Sequence, residues 1–156
     1  MSSTKSLFLL WASCVLLAGL PAAHASAATC HSGEGHSAAA GWFQQYDLAW
    51  EHRDAAAATA LFAQSAVYRE DPFEAALQGA KAIRGYWDAV ARGQRDVRVS
   101  YRILSVCGNV SIVHWRAGFI RTPSKQKVRL DGIAEVTLDA HGKCALFREW
   151  WDRDQT

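Results

Sequence analysis

The chain has 156 residues, half of them hydrophobic, with 17 basic against 15 acidic side chains. That near-neutral balance argues against nucleic acid or an anionic membrane surface as the partner, and the length allows one ordinary domain with a substantial core. Seven tryptophans are a heavy aromatic load; large rings fill cores and also line ligand cavities.

At the N-terminus Lys5 precedes the uncharged run SLFLLWASCVLLAGLP and then AAHASAA. A basic start, a short apolar core and small residues at A-x-A spacing predict a secretory signal peptide over residues 1–27, cleaved after Ala25 or Ala27. The protein is therefore expected to be exported, periplasmic or secreted, with no membrane association once the segment is removed. Cys30, Cys107 and Cys144 would remain, an odd number in an oxidising compartment. The stretch CHSGEGH carries Cys30, His31, Glu34 and His36, but its Gly/Ser content and terminal position read as a flexible linker over 28–37. A structural metal site has to be enclosed by the fold around it, so no metal is expected.

The folded domain is expected over 38–156. From Ala38 to His52, Trp42, Tyr46 and Trp50 recur at i, i+4, i+8, one face of a helix. Asp54 then caps a second short helix, AAAATALF, whose Leu61 and Phe62 point at a core. AVYREDPF reads as a short strand ending at Pro72, which cannot donate to a ladder. After Gly79, AKAIRGYWDAV restarts a helix.

Past Gln94 the period changes to two. Val97, Val99, Tyr101 and Ile103 alternate with polar residues, and Gly108-Asn109 turns the chain into a second strand, VSIVHWRAGFI. RTPSKQK is a loop, VRLDGIAEVTLD a third long strand, and KCALFREWW the last. Helices first and antiparallel strands last predict an α+β fold, with N-terminal helices packed over one face of a curved antiparallel sheet.

The run QQYDLAWEHRDAAAATALFAQSAVYREDPFEAALQGAKAIRGYW resembles the front half of the nuclear-transport-factor-2-like (NTF2-like) superfamily, particularly its SnoaL-like and ketosteroid-isomerase-like branches. The matched pattern runs from the first helix through ALF and a carboxylate before proline to G-x-x-A-I-x-x-Y/W. LDGIAEVTLDAHGKCALFREWW is similar to the last hairpin, with D-x-x-G-K at its turn. The resemblance spans roughly residues 40–152 and implies a cone-shaped half-barrel, open at one end, with an apolar cavity between helices and sheet. It is specific for the fold and weak for the reaction, because such folds host many activities.

By the same resemblance Asp71, the carboxylate before proline, is the candidate base, and Tyr46 the candidate hydrogen-bond donor to a developing oxyanion. Trp42, Phe73, Trp87 and Trp115 are the expected ligand-contacting aromatics. Two departures stand out. The position of the branch's second acid, aligned through the D-x-x-G-K turn, is Ala134, which argues against a steroid isomerase. One extra residue between ALF and the carboxylate reverses strand parity unless a bulge absorbs it, which would turn Glu70 inward in place of Asp71.

His114 shares a face with Ile112 and Arg116, away from Val113, Trp115, Ala117 and Phe119, and is expected on the outer surface. Asp131 and Glu135 lie opposite Ala134 and so outside the pocket. Arg148 and Glu149 fall on opposite faces of the last strand; either one projects into the cavity or the pair belongs to a surface ion-pair array. No phosphate loop, nucleotide fingerprint, HExxH or nucleophile elbow is present, and no cofactor is expected.

Two functions are compatible with this reading. One is acid/base catalysis on a small apolar carbonyl- or epoxide-containing molecule; the other is non-catalytic binding of an apolar molecule or a protein. Cys107 and Cys144 should be separated by two strands, beyond disulfide reach, so any bridge would recruit Cys30. The mixed outer face of Ile112, His114, Arg116, Ile120, Ile133 and Glu135 predicts a homodimer through that surface.

Overall fold

A computed structural model of the chain describes Cys30 and residues 34–155; the expected signal segment and most of the expected linker lie outside the described residues. Two helices come first, α1 (Glu34–Glu51) and α2 (Ala55–Ala60), and a third, α3 (Gly79–Gly93), follows two strands. The strands are β1 (Phe62–Arg69), β2 (Leu77–Gln78), β3 (Gln94–Cys107), β4 (Val110–Arg121), β5 (Lys127–Leu138) and β6 (Cys144–Gln155). They form one sheet in the order β2-β1-β6-β5-β4-β3. The architecture is the expected α+β cone: helices over a curved, unclosed sheet.

The sheet is mixed rather than wholly antiparallel, because β1 runs parallel to β6. The α2 turn is what allows this. Asp54 accepts hydrogen bonds from the Ala56 and Ala57 amides, closing the expected N-cap. Directly after α2, β1 begins at Phe62, four residues before the expected strand, and lies beside β6 with a register shift between Phe62 and Val67. Helix α1 likewise starts at Glu34, four residues before its expected start at Ala38 and inside the expected linker.

Alternation in the long strands sets the core. Val113, Trp115, Ala117 and Phe119 of β4 are buried, as are Val128, Ala134 and Val136 of β5. From α1, Trp42, Phe43, Tyr46 and Trp50 pack onto this face. Gly132 makes the central wall feasible. It pairs with Trp115 on one side and Trp151 on the other, and a Cβ there would stand 2.7 Å from the Trp151 Cβ and 3.1 Å from the Trp115 ring. Only glycine lets both indoles approach across that strand.

Cys30 is bridged to Cys107 at the end of β3, with Cα atoms 4.2 Å apart. Cys144 is free and buried, and burial pushes its thiol far above the usual range. Two strands separate Cys107 from Cys144 in the sheet, as expected from a meander.

Candidate active site

Three tyrosines from three elements converge inside the cone: Tyr46 of α1, Tyr68 of β1 and Tyr86 of α3. The Tyr68 hydroxyl donates to Glu149 Oε1 at 3.1 Å. Since its proton is committed there, the Tyr46 hydroxyl, 3.4 Å away, is the donor to the Tyr68 oxygen. The result is a directed chain, Tyr46 to Tyr68 to Glu149. Stacking fixes these rings: Tyr68 lies on Phe147 at 4.8 Å with an interplanar angle of 6°, and Tyr46 on Trp42 at 4.9 Å.

Glu149 is 6 % exposed. Burial, and then the charge of Glu70, raise its pKa from 4.5 to about 8, partly offset by the Tyr68 hydrogen bond. Near neutral pH the carboxyl is therefore mainly protonated and able to donate. Glu70 is half-buried; burial raises its pKa too, while a hydrogen bond from Tyr86 works against the rise. Strong desolvation of one carboxyl and weaker desolvation of its neighbour is the condition that separates an acid from a base.

Both carboxyls line a cavity of about 200 Å³ with Tyr46, Tyr68, Tyr86, Trp50, Trp87, Trp115, Trp151 and Phe119 among its walls. That is below the ~300–1,000 Å³ of drug-sized sites, so the space would admit only a small molecule. The indole N–H groups of Trp87 and Trp115 are buried with no acceptor among the described residues. An unmet buried donor costs about 1–3 kcal/mol, so an acceptor that reached either indole would be stabilised.

Of the residues expected at the site, Tyr46, Trp87 and Trp115 line this cavity. Trp42 does not; it stands behind Tyr46 with its indole N–H donating to the Leu61 carbonyl at 3.1 Å. Asp71 is exposed and outside the cavity, its Oδ1 accepting from the Phe73 amide in a tight turn. Phe73 is 95 % exposed. The cause is strand parity. Ala66 and Tyr68 point inward, so the next inward position is Glu70, and Asp71-Pro72 already belongs to the turn.

The outer face also follows parity. His114 Nε2 lies 2.6 Å from Asp131, which Arg116 also binds at 2.8 Å, and Arg148 pairs with Glu135 at 2.6 Å. Arg148 thus takes the surface ion pair and Glu149 the cavity. Glu149 sits directly across from Ala134. A carboxyl therefore stands beside Ala134 on the neighbouring strand, at the same level of the sheet. The sequence placed Arg148 and Glu149 on opposite faces and left open which of them enters the cavity; Phe147, Glu149 and Trp151 share the inward face.

Residues 34–147 match the family model of the SnoaL-like domain. No curated protein matches the chain. Among solved structures, the fold is similar to that of SalBIII, an epoxide hydrolase/cyclase-like enzyme with a role in pyran ring formation in the polyether salinomycin: identity is 17%, coverage 76% of this chain and 90% of that chain, and TM-score 0.64. RV0760c from Mycobacterium tuberculosis is similar at 14% identity, 77% and 97% coverage and TM-score 0.68. A putative isomerase from Bacillus subtilis gives 13%, 77% and 90%, and 0.67. At such identities these likenesses speak for the fold alone.

Proposed function

The chain belongs to the SnoaL-like domain family, and on that premise we propose that it is an acid/base enzyme acting on a small, largely apolar molecule bearing an epoxide or carbonyl oxygen. The observation that carries this reading is the pairing of buried Glu149 with Glu70 in one aromatic cavity. Glu149, neutral near pH 7, donates its proton to the substrate oxygen, with the Tyr68 hydroxyl holding the carboxyl in place. Glu70 accepts a proton, from the attacking hydroxyl in epoxide opening or from the carbon beside the carbonyl in isomerisation. The two transfers balance, and no charge has to leave the cavity. SalBIII, described as an epoxide hydrolase/cyclase-like enzyme, and the putative isomerase lend this chemistry plausibility by analogy.

The test is turnover of a panel of small aryl epoxides and β,γ-unsaturated ketones. Wild type is expected to accelerate at least one of them, and Glu149→Gln to lose about 10²–10⁴-fold in kcat. Binding of the panel without turnover of any member would leave the alternative, a non-catalytic binding module.

The reading extends to an exported homodimer. Export is supported by the N-terminal sequence and by the Cys30–Cys107 bridge, which suits an oxidising compartment. Dimerisation is supported by the outer sheet face, where Trp150 is 44 % exposed beside Ile133 and its neighbour His114. Apolar side chains ringed by ion pairs form a self-complementary patch. Light scattering should give twice the chain mass for wild type, and the monomer mass for Ile112→Asp. A monomeric wild type at micromolar concentration refutes the assembly.

A further inference from the structure

Two inward-facing strand rows, on β4 and β6, run from the aromatic core to a basic residue at the cavity rim. Along β4 the row is Val113, Trp115, Ala117, Phe119 and then Arg121, where burial gives way to partial exposure. Along β6 it is Phe147, Glu149, Trp151 and then Arg153, opposite Leu130. Both arginines line the same cavity as Glu149. Gln94 pairs with Arg121 across the sheet edge, and its side-chain oxygen is held at 2.8 Å by the Trp50 indole. The mouth is therefore cationic on two strands, while the interior is aromatic.

We propose that the substrate carries a carboxylate, bound at the cavity mouth by Arg121 with Arg153 beside it, at the opposite end from the oxygen that meets Glu149. The proposal deepens the acid/base reading and uses the same cavity. Arg121 has no carboxylate partner among the described residues. An arginine with an open fork at the rim of an apolar pocket suits a planar carboxylate, which it can bind through two parallel hydrogen bonds.

Charge balance points the same way. Burial raises the pKa of both cavity carboxyls, Glu149 and Glu70, which weakens their negative charge, while the Arg121 guanidinium at the rim has no carboxylate partner among the described residues. The bound state of an anion is closer to neutral than the empty one. Length fits as well. Glu149 and Arg153 are four residues apart on one strand, about 13 Å between Cα atoms at ~3.3 Å per residue. Side chains reaching in from both ends leave room for one ring and a short linker. The ligand class is thus a small aryl or alicyclic acid, amphipathic end to end.

The experiment is calorimetric titration with 3-phenylpropanoate and with its neutral isostere 3-phenylpropanamide, at low and high salt. Wild type should bind the acid at least tenfold more tightly than the amide, with the preference shrinking as salt rises. Arg121→Gln should erase the preference, and Arg121→Lys should restore part of it. Equal affinities for acid and amide in wild type, no binding of either, or an unchanged preference in Arg121→Gln overturns the proposal. The catalytic reading fails separately. If Glu149→Gln keeps the acid preference and no panel compound is turned over, the mouth is right and the chemistry wrong.

Discussion

In Glu149→Gln, stability should depend on pH far less than in wild type, and at pH 9 the variant should be the more stable protein. Glu149 ionises near 4.5 in the unfolded chain and near 8 when folded. Between those values the folded state holds a proton that the unfolded state has lost, so stability falls by about 1.4 kcal/mol for each pH unit. Below pH 4.5 both states are protonated and the stability is fully present; above about pH 8 both are ionised and the loss is complete. Glutamine mimics the neutral acid in shape, can still accept from Tyr68, and does not titrate.

The two proteins should therefore unfold at similar urea concentrations at pH 4 and diverge steadily to pH 8, by an amount on the order of several kcal/mol. A residual slope should persist in the variant. Asp47, raised from 3.8 to about 7 by burial and then by the charge of Glu51, loses its own contribution over an overlapping window, from about pH 4 to 7. Parallel urea midpoints for wild type and variant from pH 4 to 9 would show that Glu149 titrates as an ordinary surface carboxylate. The site would then have lost its acid.

Removing the bridge with Cys107→Ser is expected to cost about 2–4 kcal/mol. The half-cystines are 77 residues apart, so the closed loop takes in α1, α2, β1, β2, α3 and β3, and opening it frees a large part of the unfolded chain. The fold itself should survive. Helix α1 is also held to β3 by the Tyr101 hydroxyl donating to the Ala40 carbonyl at 3.1 Å and by the stacking of Phe43 on Tyr101 at 5.3 Å. Dithiothreitol should lower the urea midpoint of wild type to that of the variant and leave the variant unmoved. Cys144 should stay unreactive to thiol reagents in both, because its thiol is buried and held protonated. A wild-type midpoint indifferent to reductant would mean that the bridge is absent in solution.

The sequence by itself determined which side chains of each long strand face the core and which face of α1 meets them. Val113, Trp115, Ala117 and Phe119 alternate without interruption, and Trp42, Tyr46 and Trp50 repeat at helical spacing. These are local periodicities, written into neighbouring residues and set by backbone geometry alone. The same logic located His114, Asp131 and Glu135 outside the cavity and marked Glu70 as the alternative to Asp71.

Tertiary structure alone decided which carboxyls share the cavity. The inward turn of Glu70 depends on where β1 begins and how its register shifts against β6, a pairing between segments about 80 residues apart. Glu149 matters because it lies across from Ala134, next to Tyr68 and beneath Tyr46. None of those neighbours is local in the chain. Its raised pKa follows from desolvation by the whole aromatic cage, which pushes the proton onto the carboxyl. Burial is a property of the assembled fold, and so is the acid it creates.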